Sequence, residues 1–400
     1  MRVSKLLIFI IPAILFASAA LLQSGNKPEA PASAAKPVVF KRVLSAEDSL
    51  IFRYDTILTH LLESAKNVGA AAVITINGEV KYLKCFGVKK AGENDEVDAG
   101  TIFRLASVSK PITGIFAGIM ANDSLIGLDE KVIDFLPDFY LKDTLSTSQL
   151  SVRHLLSHTS GLVPHAYDNL IEDGVPFNVI IDSLHRVNIS APPGQLYGYQ
   201  NVLFSIYDTI SVLRSGQSFE KKISERLFKP FNMYHASAGL DGFTGNKNFA
   251  YPHGRYGNSY KPIRLNTRYY NTNPAAGINA SISDLGNFLT ALTDPRPDII
   301  NSAVIDSILT PQVRSPLKWI YLRHWDKVQS KHYGLGWRLI GYHDRTIAYH
   351  GGYVRGYRAE IALCREEGIG IAFLTNSPGR AGSKVVPEFL DMYFESQAQK

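Results

Sequence analysis

Three short stretches of this 400-residue chain carry side chains able to attack a carbonyl or move a proton. The first is Ser107-Val108-Ser109-Lys110. Residues three apart share one face of a helix, so the lysine amine can reach the serine hydroxyl. A lysine in a partly desolvated site near other cations loses its proton near neutral pH and can serve as the base. The spacing alone is unspecific, since it occurs five times, at Ser24, Ser33, Ser107, Ser218 and Ser315. The first two stand in a Pro/Ala-rich stretch, Ser218 reads as the polar start of a helix, and Ser315 precedes Pro316 in a loop-like segment. Ser107 differs. The apolar run Ile102 to Ala106 precedes it, and Ile112, Ile115, Phe116 and Ile119 follow at helical spacing. That places the serine at a helix N-terminus against a core, where free N–H groups and the helix dipole favour a developing oxyanion. Pro111 disfavours helical geometry at Lys110, so the helix is expected to begin irregularly.

The second stretch is Tyr199-Gln200-Asn201, which follows the turn-forming Pro192-Pro193-Gly194 and leads into an apolar helical segment. A phenol there could shuttle a proton, and the amide could bind a substrate carbonyl. The same Tyr-x-Asn pattern recurs at Tyr167, Tyr256 and Tyr269, where surface tyrosines are an adequate reading for at least two of the four. The third stretch, His350-Gly351-Gly352, ends a strand-like run. Glycines let a backbone approach closely, which suits a strand that binds extended substrate and donates an oxyanion N–H. A plain strand terminus is the bland alternative.

The elements that must hold these groups can be read from periodicity. Ser45 with Asp48 resembles an N-cap signature, and Leu50, Ile51, Tyr54, Ile57, Leu58, Leu61, Leu62 and Ala65 recur at helical spacing after it. Ala70–Ile76 and Val80–Phe86 are short apolar runs joined by Asn77-Gly78, the strongest short-range hairpin signal. From about residue 105 to 340 the chain reads as helices and long connections, with candidates at Pro111–Asp123, Val152–Leu156, Val202–Leu213 and Ser283–Leu292. Strands return at Thr346–His350, Tyr357–Arg365 and Ile369–Asn376, and Val385 to Phe394 closes as a helix. The economical assembly is an α/β (α+β) fold with an antiparallel sheet formed by both chain ends, flanked by helices, and a mainly helical insertion over about 110–340.

Composition agrees with a folded domain, at 45% hydrophobic and 20% charged residues. Of the net charge of +6, half belongs to residues 1–36, which hold Arg2, Lys5, Lys27 and Lys36 against Glu29. The remainder is too weak a field to argue for nucleic acid as a partner. Arg2 and Lys5 precede the uncharged stretch Leu6 to Leu22 with small residues at 17–19, the layout of a signal peptide. That length can also remain as a membrane anchor. The expected organisation is a signal or anchor at 1–22, a tether at 23–40, and one hydrolase-like domain at 41–398. Export to a periplasmic or other extracytoplasmic space follows, with possible attachment to the membrane through residues 6–22. Cys85 and Cys364 fall in expected strands, where buried thiols are as good a reading as a disulfide.

The order Ser107…Lys110, Tyr199-x-Asn201, His350-x-Gly352 resembles the class C β-lactamases, the DD-peptidases and the related esterases, the penicillin-binding protein group. Leu155 to Leu162 (LLSHTSGL), Pro274-Ala275-Ala276-Gly277 and Tyr333-Gly334-Leu335-Gly336-Trp337 look like further stretches of that family. The likeness runs from about 50 to 395. It implies a serine hydrolase working through an acyl-enzyme on an amide or ester carbonyl of a D-peptide, ester or β-lactam, without cofactor or metal. It implies that Ser107 is acylated, Lys110 and Tyr199 move the proton, and Asn201 orients the substrate amide. His350 and Gly352 would line the binding strand, and the N–H groups of Ser107 and Tyr353 would form the oxyanion hole. The third motif departs from β-lactamases, which have lysine first and threonine in the middle. Histidine there is more like the peptidases and esterases, and loss of the hydroxyl weakens the case for efficient β-lactam turnover. Arg355 and Arg358 could hold a substrate carboxylate, or simply be surface charge.

Two rival readings stand beside this one. His154 and His158, four apart with His165 nearby, have a spacing that zinc can use. No glutamate follows the first histidine as in His-Glu-x-x-His, and no convincing acidic third ligand stands nearby, so a structural helix and turn is preferred. A catalytically weak or inactive protein of the same fold, binding peptidoglycan or serving as a membrane-tethered scaffold, is the stronger rival, because fold does not guarantee activity.

Overall fold

Ser45 caps the first helix, α1 (Ala46–Ser64): its hydroxyl accepts the Asp48 N–H at 3.0 Å, and the Asp48 carboxylate accepts the Ser45 N–H at 3.3 Å. The computed structural model describes residues 45–295, 297–316, 322, 324–379 and 381–398. The expected signal or anchor and the tether lie outside the described residues.

After α1 come β1 (Gly69–Ile76) and β2 (Glu79–Gly87), joined at Asn77 and Gly78 with φ of 50° and 75°. Two consecutive positive φ values are what a tight hairpin turn demands, which is why Asn-Gly stands there. The other principal elements are α2 (Ser109–Asn122), α3 (Asn201–Ser215), α4 (Ile282–Thr293), β3 (Val313–Arg314), β4 (Val328–Tyr333), β5 (Arg338–Tyr342), β6 (Arg345–Val354), β7 (Tyr357–Cys364), β8 (Ile369–Thr375) and α5 (Gly382–Gln397). The eight strands form one sheet in the order β2-β1-β8-β7-β6-β5-β4-β3, every pair antiparallel. Both chain ends therefore build it, with Ala70 opposite Thr375 and Ile76 opposite Ile369.

Each face of the sheet buries its own core. On one, Leu50, Tyr54, Leu58 and Leu62 of α1 pack with Val385, Phe389 and Tyr393 of α5. The Tyr54 hydroxyl finishes that contact by donating to the Val385 carbonyl at 3.1 Å. On the other, α2 and α4 and the small helices lie in a single larger core. Every residue of β1 is buried, because helices cover both faces of it. Cys85 and Cys364 are free thiols on β2 and β7, and burial pushes both up to about 11.

Three differences from the sequence reading stand out. Within the region read as helical insertion, the chain returns to the sheet at β3, β4 and β5. Gln329, Ser330, Lys331 and His332 make β4 polar, so its pattern lacks the apolar alternation of a half-buried strand. Second, β6 does not end at the histidine but carries on through both glycines to Val354. Third, Lys110 is helical despite Pro111, although the helix does begin irregularly, through a 3-10 turn over Ala106–Val108. The proline sits in the first turn of α2, where its missing N–H removes no intrahelical bond.

Candidate active site

A short antiparallel pairing leads into the serine turn. Phe103–Arg104 pairs with Ile278–Ala280, and the Leu105 N–H donates to the Ile278 carbonyl at 3.0 Å. From there the backbone turns through Ala106, whose φ of 48° lies in the left-handed region that a residue with a Cβ seldom adopts. A 3-10 turn over Ala106–Val108 then feeds α2 and leaves Ser107 at its mouth. The Ser109 hydroxyl locks the turn by accepting the Ile278 N–H at 3.0 Å.

One turn on, Lys110 is fully buried. Its Nζ donates to Asn201 Oδ1 at 2.7 Å and to the Ala275 carbonyl at 3.0 Å, and stands 4.6 Å from the centre of the Tyr199 ring. Burial holds the amine well below the ordinary lysine range. The Asp168 charge partly opposes that shift and the Arg338 charge adds to it. A neutral amine has two N–H groups and one lone pair, and two acceptors take the N–H groups here. The lone pair is left for a proton.

Tyr199 stands where the chain enters α3, and its hydroxyl donates to Ser107 Oγ at 2.9 Å. The His158 ring lies 4.4 Å from the Tyr199 ring and His165 lies 5.2 Å from it. The backbone is pinned on both sides: His165 N–H donates to the Tyr199 carbonyl at 2.7 Å, and Gln200 N–H donates to His158 Nδ1 at 3.2 Å. Burial raises the phenol above its usual range, with Arg338 pulling the other way, so Tyr199 is held as a neutral donor. Asn201 bridges two groups. Its Oδ1 accepts from Lys110, and its Nδ2 donates to Asp168 Oδ2 at 2.9 Å. Only one Nδ2 hydrogen is left for a substrate carbonyl. His165 Nδ1 lies 2.7 Å from the same Asp168 oxygen.

The third motif is brought to the serine by β6. A Cβ added at Gly352 would stand 2.2 Å from the Leu105 carbonyl oxygen and 3.0 Å from the N–H nitrogens of both Ser107 and Val108. Glycine is therefore a steric requirement, and the strand lies directly against the serine turn. At Gly351 an added Cβ would meet the Tyr349 hydroxyl at 2.9 Å and Glu360 Oε2 at 3.0 Å. Those two groups are hydrogen-bonded to each other at 2.5 Å, and Glu360 also takes the Arg358 guanidinium at 2.6 Å. His350 is buried and held neutral, chiefly by desolvation and then by the Arg338 and Lys110 charges. Its Nδ1 lies 2.9 Å from the Gly351 carbonyl and its Nε2 3.3 Å from the Tyr333 hydroxyl, which fits an Nδ1–H tautomer accepting from the tyrosine. The Tyr353 side chain, next along the strand, is 69% exposed.

The fold thus gathers Ser107, Lys110, Tyr199, Asn201, His350 and Gly352, separated by up to 245 positions in sequence, around one point. Ser218 instead caps the helix Phe219–Ile223 by accepting the Lys221 N–H at 3.3 Å, and Tyr256 is exposed. Arg358 pairs with Glu360 and is not a surface charge, while Arg355 is exposed in the turn after β6. No motif marks Asp168, Arg338 or Tyr333 as a chemical group, and the sequence offers His165 as a metal ligand only and His158 as that or as part of the LLSHTSGL stretch. Among the described residues no cluster of three or more His, Cys, Asp or Glu is arranged to hold a metal ion.

Residues 54–391 match the family model described as Beta-lactamase. The chain belongs to the beta-lactamase family. Within that family, it is 24% identical over 340 residues to the Unguisins hydrolase ungD' of Aspergillus campestris, covering 81% of this chain and 62% of that protein. It is also 24% identical over 344 residues to the Protein flp of Staphylococcus aureus, covering 84% of this chain and 64% of that one. The chain therefore spans a little under two thirds of these curated relatives. Two solved structures share the beta-lactamase-family fold. The octameric penicillin-binding protein homologue from Pyrococcus abyssi superposes with a TM-score of 0.73 at 21% identity, over 87% of this chain and 77% of that one. EstCE1, a hydrolase with promiscuous acyltransferase activity, gives 0.72 at 19% identity, over 87% and 99%.

Proposed function

We propose that this protein is a serine hydrolase that cleaves an ester or amide carbonyl through a covalent acyl-enzyme. The observation that carries the reading is the hydrogen bond from Tyr199 to Ser107 Oγ beside a buried lysine amine whose N–H groups are both engaged. Tyr199 occupies one lone pair of the serine oxygen and leaves the serine proton to Lys110. As Oγ bonds to the substrate carbon, that proton passes to Lys110. The carbonyl electrons move onto oxygen, where the Ser107 and Tyr353 N–H groups stabilise them. Collapse of the tetrahedral adduct breaks the bond to the leaving oxygen or nitrogen, which takes the proton back through Tyr199. Water then attacks the acyl-enzyme by the same route in reverse.

The substrate is a D-peptide, an ester or a β-lactam. The lack of a threonine hydroxyl at Gly351 favours the first two. We also propose that residues 6–22 carry the chain out of the cytoplasm, as a cleaved signal or a membrane anchor. Cell fractionation of the full chain against a variant lacking residues 1–22 tests that directly.

Turnover assays with a p-nitrophenyl ester, a D-Ala-D-Ala peptide and a penicillin separate the substrate classes. Hydrolysis of the ester or peptide with slow or no loss of penicillin is expected. Folded protein that turns over none of the three, yet retains peptidoglycan in a pull-down, would replace the enzyme reading with the binding or scaffold one.

A further inference from the structure

Lys110 has no carboxylate as a hydrogen-bond partner, yet a carboxylate acts on it through one intermediate. Asp168 Oδ2 accepts the Asn201 Nδ2 hydrogen at 2.9 Å. That bond settles which end of the amide faces which neighbour, and the oxygen is left against Lys110 Nζ at 2.7 Å. A guanidinium stands across the other member of the pair. Arg338, 6% exposed, has its guanidinium carbon 5.9 Å from the centre of the Tyr199 ring, the ring that also faces Lys110 at 4.6 Å. Arg338 comes from β5, opposite Tyr333 on β4 and Tyr349 on β6. One anion and one cation, from segments far apart in the chain, thus converge on the two groups that would move the serine proton.

We propose that Asp168 and Arg338 are positioning residues for the serine chemistry: Asp168 fixes the Asn201 amide toward Lys110, Arg338 steadies the Tyr199 ring, and their opposite charges together set the pH range over which Lys110 can accept a proton. This rests on the acyl-enzyme reading above. Besides these two, the titratable groups around Lys110 are His158, His165, Tyr197, Tyr199, Tyr333 and His350. His158 and His350 are held neutral by burial, and Tyr199 and Tyr333 are raised out of range by it. Asp168, with the His165 imidazole 2.7 Å from its Oδ2, and Arg338 are the charges that act on the amine. The directions agree, since the Asp168 charge raises the amine and the Arg338 charge lowers it. Lys110 accepts a proton only when neutral, so activation switches on as pH rises through its folded value. Removing the anion lowers that value, and removing the buried cation raises it.

The experiment is the rate of Ser107 labelling by a fluorophosphonate against pH, read by intact mass on the full chain. Asp168→Asn keeps an oxygen for the Asn201 amide and removes the charge; Arg338→Met removes a charge and Arg338→Lys keeps it. Near-ultraviolet circular dichroism checks that each variant is folded. The acid limb is expected to move to lower pH in Asp168→Asn, to higher pH in Arg338→Met, and to stay near wild type in Arg338→Lys. Acid limbs that coincide in all folded variants, or that move in the same direction in Asp168→Asn and Arg338→Met, overturn the proposal while leaving the nucleophile intact. Wild type that never labels at Ser107 at any pH removes the underlying reading, and this proposal with it.

Discussion

Lys110 is held in a place where its charge is poorly solvated, and the fold is expected to be less stable for it. Its folded pKa lies below that of an unfolded lysine, so the unfolded chain binds more protons and stability rises with pH between the two values. Lys110→Met, similar in length and apolar, is therefore expected to raise the urea midpoint at neutral pH. The gain should narrow as pH climbs toward the ordinary lysine value. Replacing a buried charge with a packed apolar group is often neutral or stabilising by about 1–4 kcal/mol. The same variant should lose at least about 100-fold in ester turnover, since positioned proton transfer contributes roughly 10²–10⁴-fold. Urea titrations at two pH values, paired with that assay, check both halves. A Met variant less stable than wild type at neutral pH would mean that the lysine contributes more through its bonds to Asn201 and Ala275 than burial takes away.

Among the elements, β6 and the serine turn are fitted to each other with no clearance. Gly352→Ala would push a methyl to 2.2 Å from the Leu105 carbonyl, a backbone atom that cannot swing aside. Forced overpacking of this kind costs about 1–3 kcal/mol. Labelling of Ser107 should fall by about tenfold or more, because an ångström at the reacting centre weakens positioning steeply. Gly368→Ala, at a remote hairpin turn with φ of 62°, offers a control that strains the backbone far from the serine. Comparable labelling losses in the two variants would remove the special role given to the contact at Gly352.

The principal elements were legible wherever one local signal decided them. Asn77-Gly78 demanded a hairpin, and Ser45 with Asp48 demanded a helix start. β3 has only two residues, and β4, paired on its outer side only at His332 and Tyr333, is polar along the rest of its length, so neither gives an alternating signal. The site divides in the same way. Ser107, Lys110, Tyr199 and Asn201 lie in short motifs that a spacing rule can find. Asp168 lies far in sequence from Arg338 and Tyr333, which face each other across the β4–β5 hairpin, and the three meet the serine motifs only through the tertiary fold. The motif marks Asn201 as a substrate ligand, whereas its two-sided bridge is a property of its neighbours.

At the scale of the whole molecule, the sheet separates a core that carries the site from one that carries none of it. The second core is made by α1 and α5 with the sheet behind them, and Tyr54 meets Phe389 there edge to face at 5.4 Å. Phe389→Ala is expected to cost about 3–5 kcal/mol in chemical denaturation. Turnover of the protein that remains folded should change by less than about twofold, because distant sites with no shared partners act nearly independently. A large fall in turnover with little loss of stability would show that the two faces are coupled.

Intact mass of the protein after exposure to a fluorophosphonate, with Ser107→Ala alongside, bears most directly on the central claim. A single adduct on wild type, localised by peptide mapping to Ser107 and absent from the folded alanine variant, is the predicted result. No adduct on folded wild type, or an adduct that survives Ser107→Ala, would contradict it.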